Sequence, residues 1–308
     1  MASHMHALRQ RGAALVLALL VAALAATVAM AIAAEQRRWQ NGVAARRDQV
    51  QAQSLALAGI QWTRQILLES AGNGVDSLGQ PWAVPLPATP IENGVIEGRI
   101  VDAQGLVNLN NATLTGTQGD EERARALRLF TRLGVPAAAL DAVADWVDRD
   151  AEARPNGAED AWYARQPVGY LAANAPLVRV AEVEAVRGFD EAILARVLPY
   201  VTALPAGTPL NVNTAPLPVL AAALPTVPPD VLAQLATERV QRPFIDIADF
   251  RNRLPPDTPI GNEPTFSVST NFFIVTVRAR QGDAVAQARA LLKRGPGGWP
   301  GVLWQTLE

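Results

Sequence analysis

Between Asp145 and Tyr163 the chain reads DWVDRDAEARPNGAEDAWY. Asp145, Asp148, Asp150, Glu152, Glu159 and Asp160 stand there against only Arg149 and Arg154. Acids alternate at Asp148, Asp150 and Glu152, and a turn then delivers Glu159 and Asp160. That pattern suits a hard cation. Calcium takes about 6–8 oxygens, and backbone carbonyls and water fill the places that carboxylates leave. The spacing is not that of an EF-hand, because the sixth position counted from Asp148 is Ala153 rather than glycine. Two other readings stay open at this point. One is a solvated acidic turn paired locally with Arg149 and Arg154. The other is a carboxylate hydrolase, although no substrate-binding signature accompanies the acids.

Composition removes several chemistries. The chain has 308 residues and no cysteine, so disulfides, thiolate metal sites and cysteine nucleophiles are absent. Its only histidines are His4 and His6, which leaves no histidine base or histidine-ligated zinc in the body of the chain. A formal net charge of −2 supplies no global basic field for nucleic acid. An exported protein without cysteines must be held by its core, with help from a metal where one binds.

The element that decides where those acids sit is the stretch Arg9–Glu35. From Ala13 to Ala34 it is apolar apart from Thr27. About 20 apolar residues at about 1.5 Å each span a bilayer core, and a helix satisfies its own backbone there. The first five residues, MASHM, read as a vector remnant. A signal peptide cut near Ala31-Ile32-Ala33, a plain membrane anchor, and a leader cut after Gly12 are three readings of this segment. Arg9 and Arg11 on one side and Arg37 and Arg38 on the other leave its orientation unsettled by charge.

After the anchor, Val43, Val50, Leu57, Ile60 and Leu67 recur at helical spacing, so the helix continues over Gln36–Ser70 and ends at Ala71-Gly72-Asn73-Gly74. Residues 75–93 read as irregular and proline-rich. Val95–Val101 and Leu106–Asn110, joined by Asp102-Ala103-Gln104-Gly105, read as a β-hairpin. Helices are expected over 121–133, 136–147, 178–186, 190–199, 215–224, 229–239 and 247–254. Strand signal returns in Asn271–Arg280, and after the turn Gln281-Gly282-Asp283 an antiparallel partner follows in Ala284–Lys293. The economical architecture is α+β: a long N-terminal helix packed on a small antiparallel sheet, with a large α-helical insertion between early and late strands.

A weak repeat lies inside the insertion. Val107-Asn108-Leu109-Asn110-Asn111-Ala112 resembles Leu210-Asn211-Val212-Asn213-Thr214-Ala215, and each precedes a helical pair. Asn213 or Thr214 is expected to cap the next helix, as are Asn110, Asn111 or Thr113 in the first copy. The second copy is also similar to helix-hairpin-helix modules, which makes a membrane-anchored DNA-binding protein the alternative reading. Its hairpin Pro225-Thr226-Val227-Pro228-Pro229 argues against that, since proline removes phosphate-binding N–H groups.

Taken together the pieces resemble the type II secretion minor pseudopilin K family over nearly the whole chain. The carriers are Arg11-Gly12-Ala13-Ala14-Leu15, Val107–Asn111, Asp145-Trp146-Val147-Asp148, Asn156-Gly157-Ala158-Glu159-Asp160, Ala172–Leu177, Val186-Arg187-Gly188-Phe189 and Leu210–Pro216. The resemblance implies a pseudopilin fold with an inserted α-domain, cleavage by prepilin peptidase between Gly12 and Ala13, and methylation of the new N-terminus. It implies a single-pass protein of the inner membrane, with the bulk of the chain in the periplasm. It further implies a non-enzymatic place at the tip of the pseudopilus beside minor pseudopilins I and J. Other pseudopilins, the outer-membrane secretin and exported substrates are the further contacts, and nucleic acid is not among them. Calcium in the insertion is implied too, with Asp148, Asp150, Glu159 and Asp160 of the acidic loop as the expected ligands.

The expected divisions are 1–12 (remnant and leader), 13–34 (transmembrane helix), 35–111 (pseudopilin helix and first strands), 112–264 (insertion, in units 112–204 and 210–264) and 265–308 (last strands and tail). One departure from most pilin-like subunits fits this family. Counted from Ala13, the fifth position is Leu17 rather than glutamate. A buried carboxylate needs a cation, and a subunit with none ahead of it can dispense with the pair.

Overall fold

A computed structural model describes residues 2–70, 74–92, 94–260, 265–295 and 299–308, with side chains from residue 15 onward. Helix α1 runs unbroken from Ala2 to Glu69. At about 1.5 Å per residue it is about 100 Å long. Its first half stands clear of the rest of the protein. Among the described residues it is the one helix long and apolar enough to cross a membrane. Of the expected stop signal Ala71-Gly72-Asn73-Gly74, the first three residues lie outside the described residues, and Gly74 has a positive φ of 72°.

The second half of α1 lies on an antiparallel sheet of order β1-β2-β7-β8-β9. These strands are β1 (Leu86–Ile91), β2 (Gly94–Asp102), β7 (Phe272–Gln281), β8 (Ala284–Lys293) and β9 (Gly301–Leu307). Ala52, Ala56, Ile60 and Leu67 of α1 pack on Phe273, Val275 and Val277 of β7 and on Ala286, Ala288 and Ala290 of β8. Small residues on both surfaces bring helix and sheet close. At Gly59 a Cβ would stand 2.6 Å from the Val277 side chain, so only glycine fits that crossing. Trp82 closes the end of this core edge-on against Phe273, with ring centroids 5.3 Å apart.

Several expectations need correction. The partner of β2 is β1 upstream, not Leu106–Asn110. The segment read as irregular therefore contains a strand, tolerated at the sheet edge despite Pro87 and Pro90. Leu106–Asn110 instead forms β3 (Val107–Asn108), which pairs in parallel with β4 (Val201–Thr202), and a 3-10 turn over Leu109–Thr113. The expected division at 111–112 falls inside that turn. The expected helix over 178–186 is a 3-10 turn, Val180–Ala185.

The helical insertion is two versions of one unit. The first holds β3, α2 (Gly116–Arg132), α3 (Ala137–Val147), α4 (Asp160–Tyr163), α5 (Glu191–Val197) and β4. The second holds β5 (Leu210–Asn211), α6 (Leu217–Ala223), α7 (Pro229–Gln241), α8 (Ile247–Asn252) and β6 (Phe266–Ser267). The pairing of β3 with β4 is repeated by the parallel pairing of β5 with β6.

The repeated asparagines explain the repeated motif. Asn110 accepts from Leu177 N and donates to the carbonyls of Leu177 and Leu204. Asn213 accepts from Phe244 N and donates to the carbonyls of Phe244 and Val268. Each side chain thus bridges the entry strand to a distant loop and to the returning strand. Neither Asn213 nor Thr214 caps a helix, contrary to expectation: α6 starts behind Pro216, and Thr214 donates to Asp102. In the first copy Asn111 donates to Glu122 and Thr113 to Asn110 O, so they do not cap α2 either.

Candidate metal centre in the helical domain

The acidic loop interrupts the first unit between α3 and the α5 region, at a place where the second unit passes directly from α7 to Phe244. Helix α3 is apolar on the face that enters the core, through Leu140, Val143 and Val147. Asp145 follows this helix inward and is fully buried. The chain leaves the helix at Asp148 in an extended conformation. The turn Arg154–Gly157 then reverses it, closed by Gly157 N donating to Arg154 O at 3.0 Å. Glu159 and the short helix α4 come back beside the exit of α3.

This reversal brings three of the four expected ligands together. One carboxylate oxygen each from Asp148, Asp150 and Glu159 can be chosen so that all lie within 4.8 Å of one another. Two oxygens on opposite sides of one calcium, each at about 2.4 Å, stand about 4.8 Å apart. The set is all oxygen and therefore suits a hard cation. Asp160 is not in the cluster: its Oδ1 accepts from Ala172 N at 2.9 Å and ties the following loop to α4.

The charges at this centre are not balanced by the protein. Among the described residues Arg154 is the one guanidinium that reaches in, and it donates at 2.6 Å to both Asp145 Oδ1 and Asp148 Oδ2. Both carboxylate oxygens of Glu159 and Oδ1 of Asp148 are buried with no hydrogen-bond partner. Burial first, then the neighbouring charges of Asp145, Asp148, Asp150 and Asp160, push the Glu159 carboxyl up to about 7. Burial also raises Asp148, against the opposing pull of Arg154. Buried oxygens with no donor are costly unless something cationic meets them. The Glu159 and Asp148 oxygens fit a hard cation such as calcium on that ground, and Asp150 lies close enough to share it.

Two supports around the loop were not legible as such. Asp145 was visible as an acid but holds Arg154 and the loop backbone, not the outer cluster; Arg154 N lies 3.1 Å from its Oδ2. Arg187, far along the chain, donates to Gly157 O at 2.9 Å and lies over the Trp162 ring, with 5.2 Å to the centroid. The expected cleavage point, Gly12 and Ala13, lies within α1.

Comparisons with known proteins divide the insertion at the same place as the repeat. Family models described as type II secretion system (T2SS), protein K match residues 105–206 and 210–269. Type II secretion system protein K of Klebsiella pneumoniae is 34% identical over 307 residues, 93% of each chain. Its counterpart from Pseudomonas aeruginosa is 30% identical, over 94% of this chain and 90% of that one.

A chain in the crystal structure of the GspK-GspI-GspJ complex from the type 2 secretion system of enterotoxigenic Escherichia coli superposes with a TM-score of 0.67. The identity is 26%, and the match covers 89% of this chain and 99% of that one. None of this supports the DNA-binding alternative. With family matches over more than half its length and relatives of 30–34% identity across nearly all of it, the chain belongs to the type II secretion system protein K family and is a minor pseudopilin.

Proposed function

We propose that this minor pseudopilin caps the tip of the pseudopilus as a non-enzymatic subunit and assembles there with minor pseudopilins I and J. The observation that carries this reading is the fold match, over nearly the full chain, to a chain of a GspK-GspI-GspJ complex. The precursor sits in the inner membrane through the apolar half of α1, with its sheet and helical domain in the periplasm. Prepilin peptidase cuts between Gly12 and Ala13, and the new N-terminus is methylated. Leu17 supports the tip position, since no carboxylate waits there for the amine of a subunit ahead.

Calcium is the structural ion of the helical domain. Asp148, Asp150 and Glu159 would hold it, and the ion would supply the positive charge that Arg154 alone does not. The helical domain would meet the secretin or exported proteins. Incubating the precursor with prepilin peptidase and reading the new N-terminus tests the first half; a chain that stays uncut, or that begins at Ala34, overturns it. Co-purification with pseudopilins I and J, with calcium and with a chelator, tests the second half. Failure to form the complex in calcium sinks the assembly reading.

A further inference from the structure

Between its apolar span and the folded domain, α1 crosses open space. The span ends at Ala34, and Asp48 is where the helix meets the sheet, its carboxylate lying against the turn at Gly282. Residues 35–47 between them are exposed on every side. At about 1.5 Å per residue they make about 20 Å of bare helix. This stretch holds Arg37, Arg38, Arg46 and Arg47 against Glu35 alone. Arg38 meets Glu35 at 3.3 Å and Arg47 meets Asp48 at 3.2 Å, both at the surface. Among the described residues no carboxylate pairs with Arg37 or Arg46. With the domain in the periplasm, these four arginines follow the span where Arg9 and Arg11 precede it, against the charge bias that orients membrane helices. They therefore call for a role other than topology.

The helical period sorts these residues by side. Trp39, Val43, Arg46 and Val50 fall on one side of α1, with Arg47 flanking them. The side that packs on the sheet, through Ala52, Ala56, Ile60 and Leu67, lies about a third of a turn away. Trp39, Val43 and Val50 are 70%, 47% and 61% exposed. An aromatic ring just past an apolar span, followed on its own side by apolar and arginine side chains, suits a helix that rests on lipid headgroups. An upright helix would carry Arg46 about 18 Å beyond Ala34, past a headgroup layer about 5–7 Å deep. A tilt of about 40° toward this side, the upper end for membrane helices, lowers Val43 and the arginine heads to the phosphates. The packed side faces away from that tilt, so the sheet is lifted rather than pressed into the bilayer.

We propose that the face of α1 formed by Trp39, Val43, Arg46 and Arg47 binds anionic phospholipid headgroups on the periplasmic surface of the inner membrane and holds the unassembled subunit tilted. The partner is the membrane that the span enters, because the face continues that span without a break in the helix and carries the opposite charge. Arg46 and Arg47 donate to phosphate oxygens, the Trp39 ring lies in the headgroup layer, and Val43 covers the apolar boundary beneath it. Charge attraction fades within a Debye length, about 8 Å at physiological salt, so the contact needs both the tilt and a negative surface.

The proposal rests on the reading of α1 as an inner-membrane anchor with the domain in the periplasm, and the test separates the two. The chain has no cysteine, so Val43→Cys and Ala45→Cys each take a single fluorescent label, on opposite sides of the helix. The full-length protein is placed in phosphatidylcholine vesicles with and without one-third phosphatidylglycerol, and quenching by a lipid spin-labelled at its headgroup is measured. With phosphatidylglycerol, the label at position 43 is expected to be quenched at least threefold more than the label at position 45. The difference is expected to vanish in phosphatidylcholine alone, in high salt, and in Arg46→Gln combined with Arg47→Gln, whose thermal midpoint stays that of wild type. Equal quenching at the two positions with phosphatidylglycerol overturns the lipid proposal. So does a difference that persists in phosphatidylcholine alone or in the double variant, or one that arises only when pseudopilins I and J are added. Protein that alkaline carbonate washes off the vesicles overturns the anchor reading and the lipid proposal with it.

Discussion

A Cβ placed on Gly157 would stand 1.8 Å from Oδ2 of Asp145. The backbone of the loop and the buried carboxylate are thus in direct contact, and no side chain fits between them. Gly157→Ala must either lift the loop or push Asp145 away from Arg154. It is expected to cost about 1–3 kcal/mol, the usual range for overpacking a filled interior. It is also expected to weaken calcium, because Glu159 lies two residues on. Thermal melts with calcium and with chelator measure both effects, and a variant that melts like wild type in each would remove the contact from consideration.

Removing a ligand should change sign with the metal. In chelator the crowded carboxylates repel, so Glu159→Gln is expected to raise the melting temperature of the metal-free protein. In calcium the same change removes a ligand and is expected to lower it. Calcium at about 100 times its Kd stabilises the native state by about 2.7 kcal/mol, enough to shift the midpoint of this domain measurably. Asp148→Asn and Asp150→Asn should each weaken calcium by tenfold or more in titration calorimetry. Asp160→Asn should weaken it less, since Asp160 is occupied with Ala172 N.

The long regular elements were legible because their residues carry the period of the element. The apolar spacing of α1, α2, α3 and α7, and the β-branched run of β7, announce themselves locally. The misses share one cause, which is a partner far away in sequence. Nothing local in Val107-Asn108 says that it pairs with Val201-Thr202, and the prolines of β1 hide a strand that only an edge position tolerates. The asparagines of the repeat look like caps in isolation. Their actual targets, Leu177 and Phe244, become visible only once the two units are compared. In the acidic loop, the carboxylate type and spacing pointed to Asp148, Asp150 and Glu159. The contact of Asp160 with Ala172 depends on a fold that spacing does not contain.

The two repeat asparagines should behave alike. Asn110→Ala leaves the N–H and C=O that Leu177 turns to it without partners, and Asn213→Ala does the same to Phe244, while Leu204 O keeps Asn108 Nδ2 and Val268 O keeps Asp76 N. Each is expected to cost about 2–4 kcal/mol, at about 1–3 kcal/mol for an unsatisfied buried group with incomplete relaxation. Denaturant melts of the two variants test the equivalence. A loss confined to one of them would mean that the two bridges are alike in geometry only.

Arg294 locks the sheet to the segment after α1. It meets both oxygens of Asp76, at 2.8 and 2.9 Å, and lies over the Phe273 ring. Asp76 also accepts from Thr270 N, where the chain re-enters the sheet from the helical domain. Both partners are largely buried, so removing one leaves an uncompensated charge. Arg294→Ala is expected to cost about 3–5 kcal/mol, and Arg294→Met combined with Asp76→Asn clearly less. Chemical denaturation of the single and double variants decides it.

Asp102 joins the sheet to the second helical unit and makes that junction sensitive to pH. Its carboxylate lies at the end of β2 and is almost wholly buried. It accepts from Gln104 N at 2.7 Å, Asn211 Nδ2 at 2.8 Å and Thr214 Oγ1 at 2.6 Å. All three donors favour the charged form, yet burial outweighs them and raises the carboxyl from its ordinary 3.8 to about 6. A carboxyl raised in the folded state binds its proton more tightly there than in the unfolded chain. Its contribution is therefore full below pH 3.8 and lost as pH rises to about 6. Asp102→Asn removes that titration while keeping an oxygen for the donors. The stability of wild type relative to Asp102→Asn is expected to fall between pH 4 and pH 6.5 and to level off above it, in urea melts at a series of pH values. A difference that stays flat across this window, or that rises with pH, would show that the three donors prevail over burial.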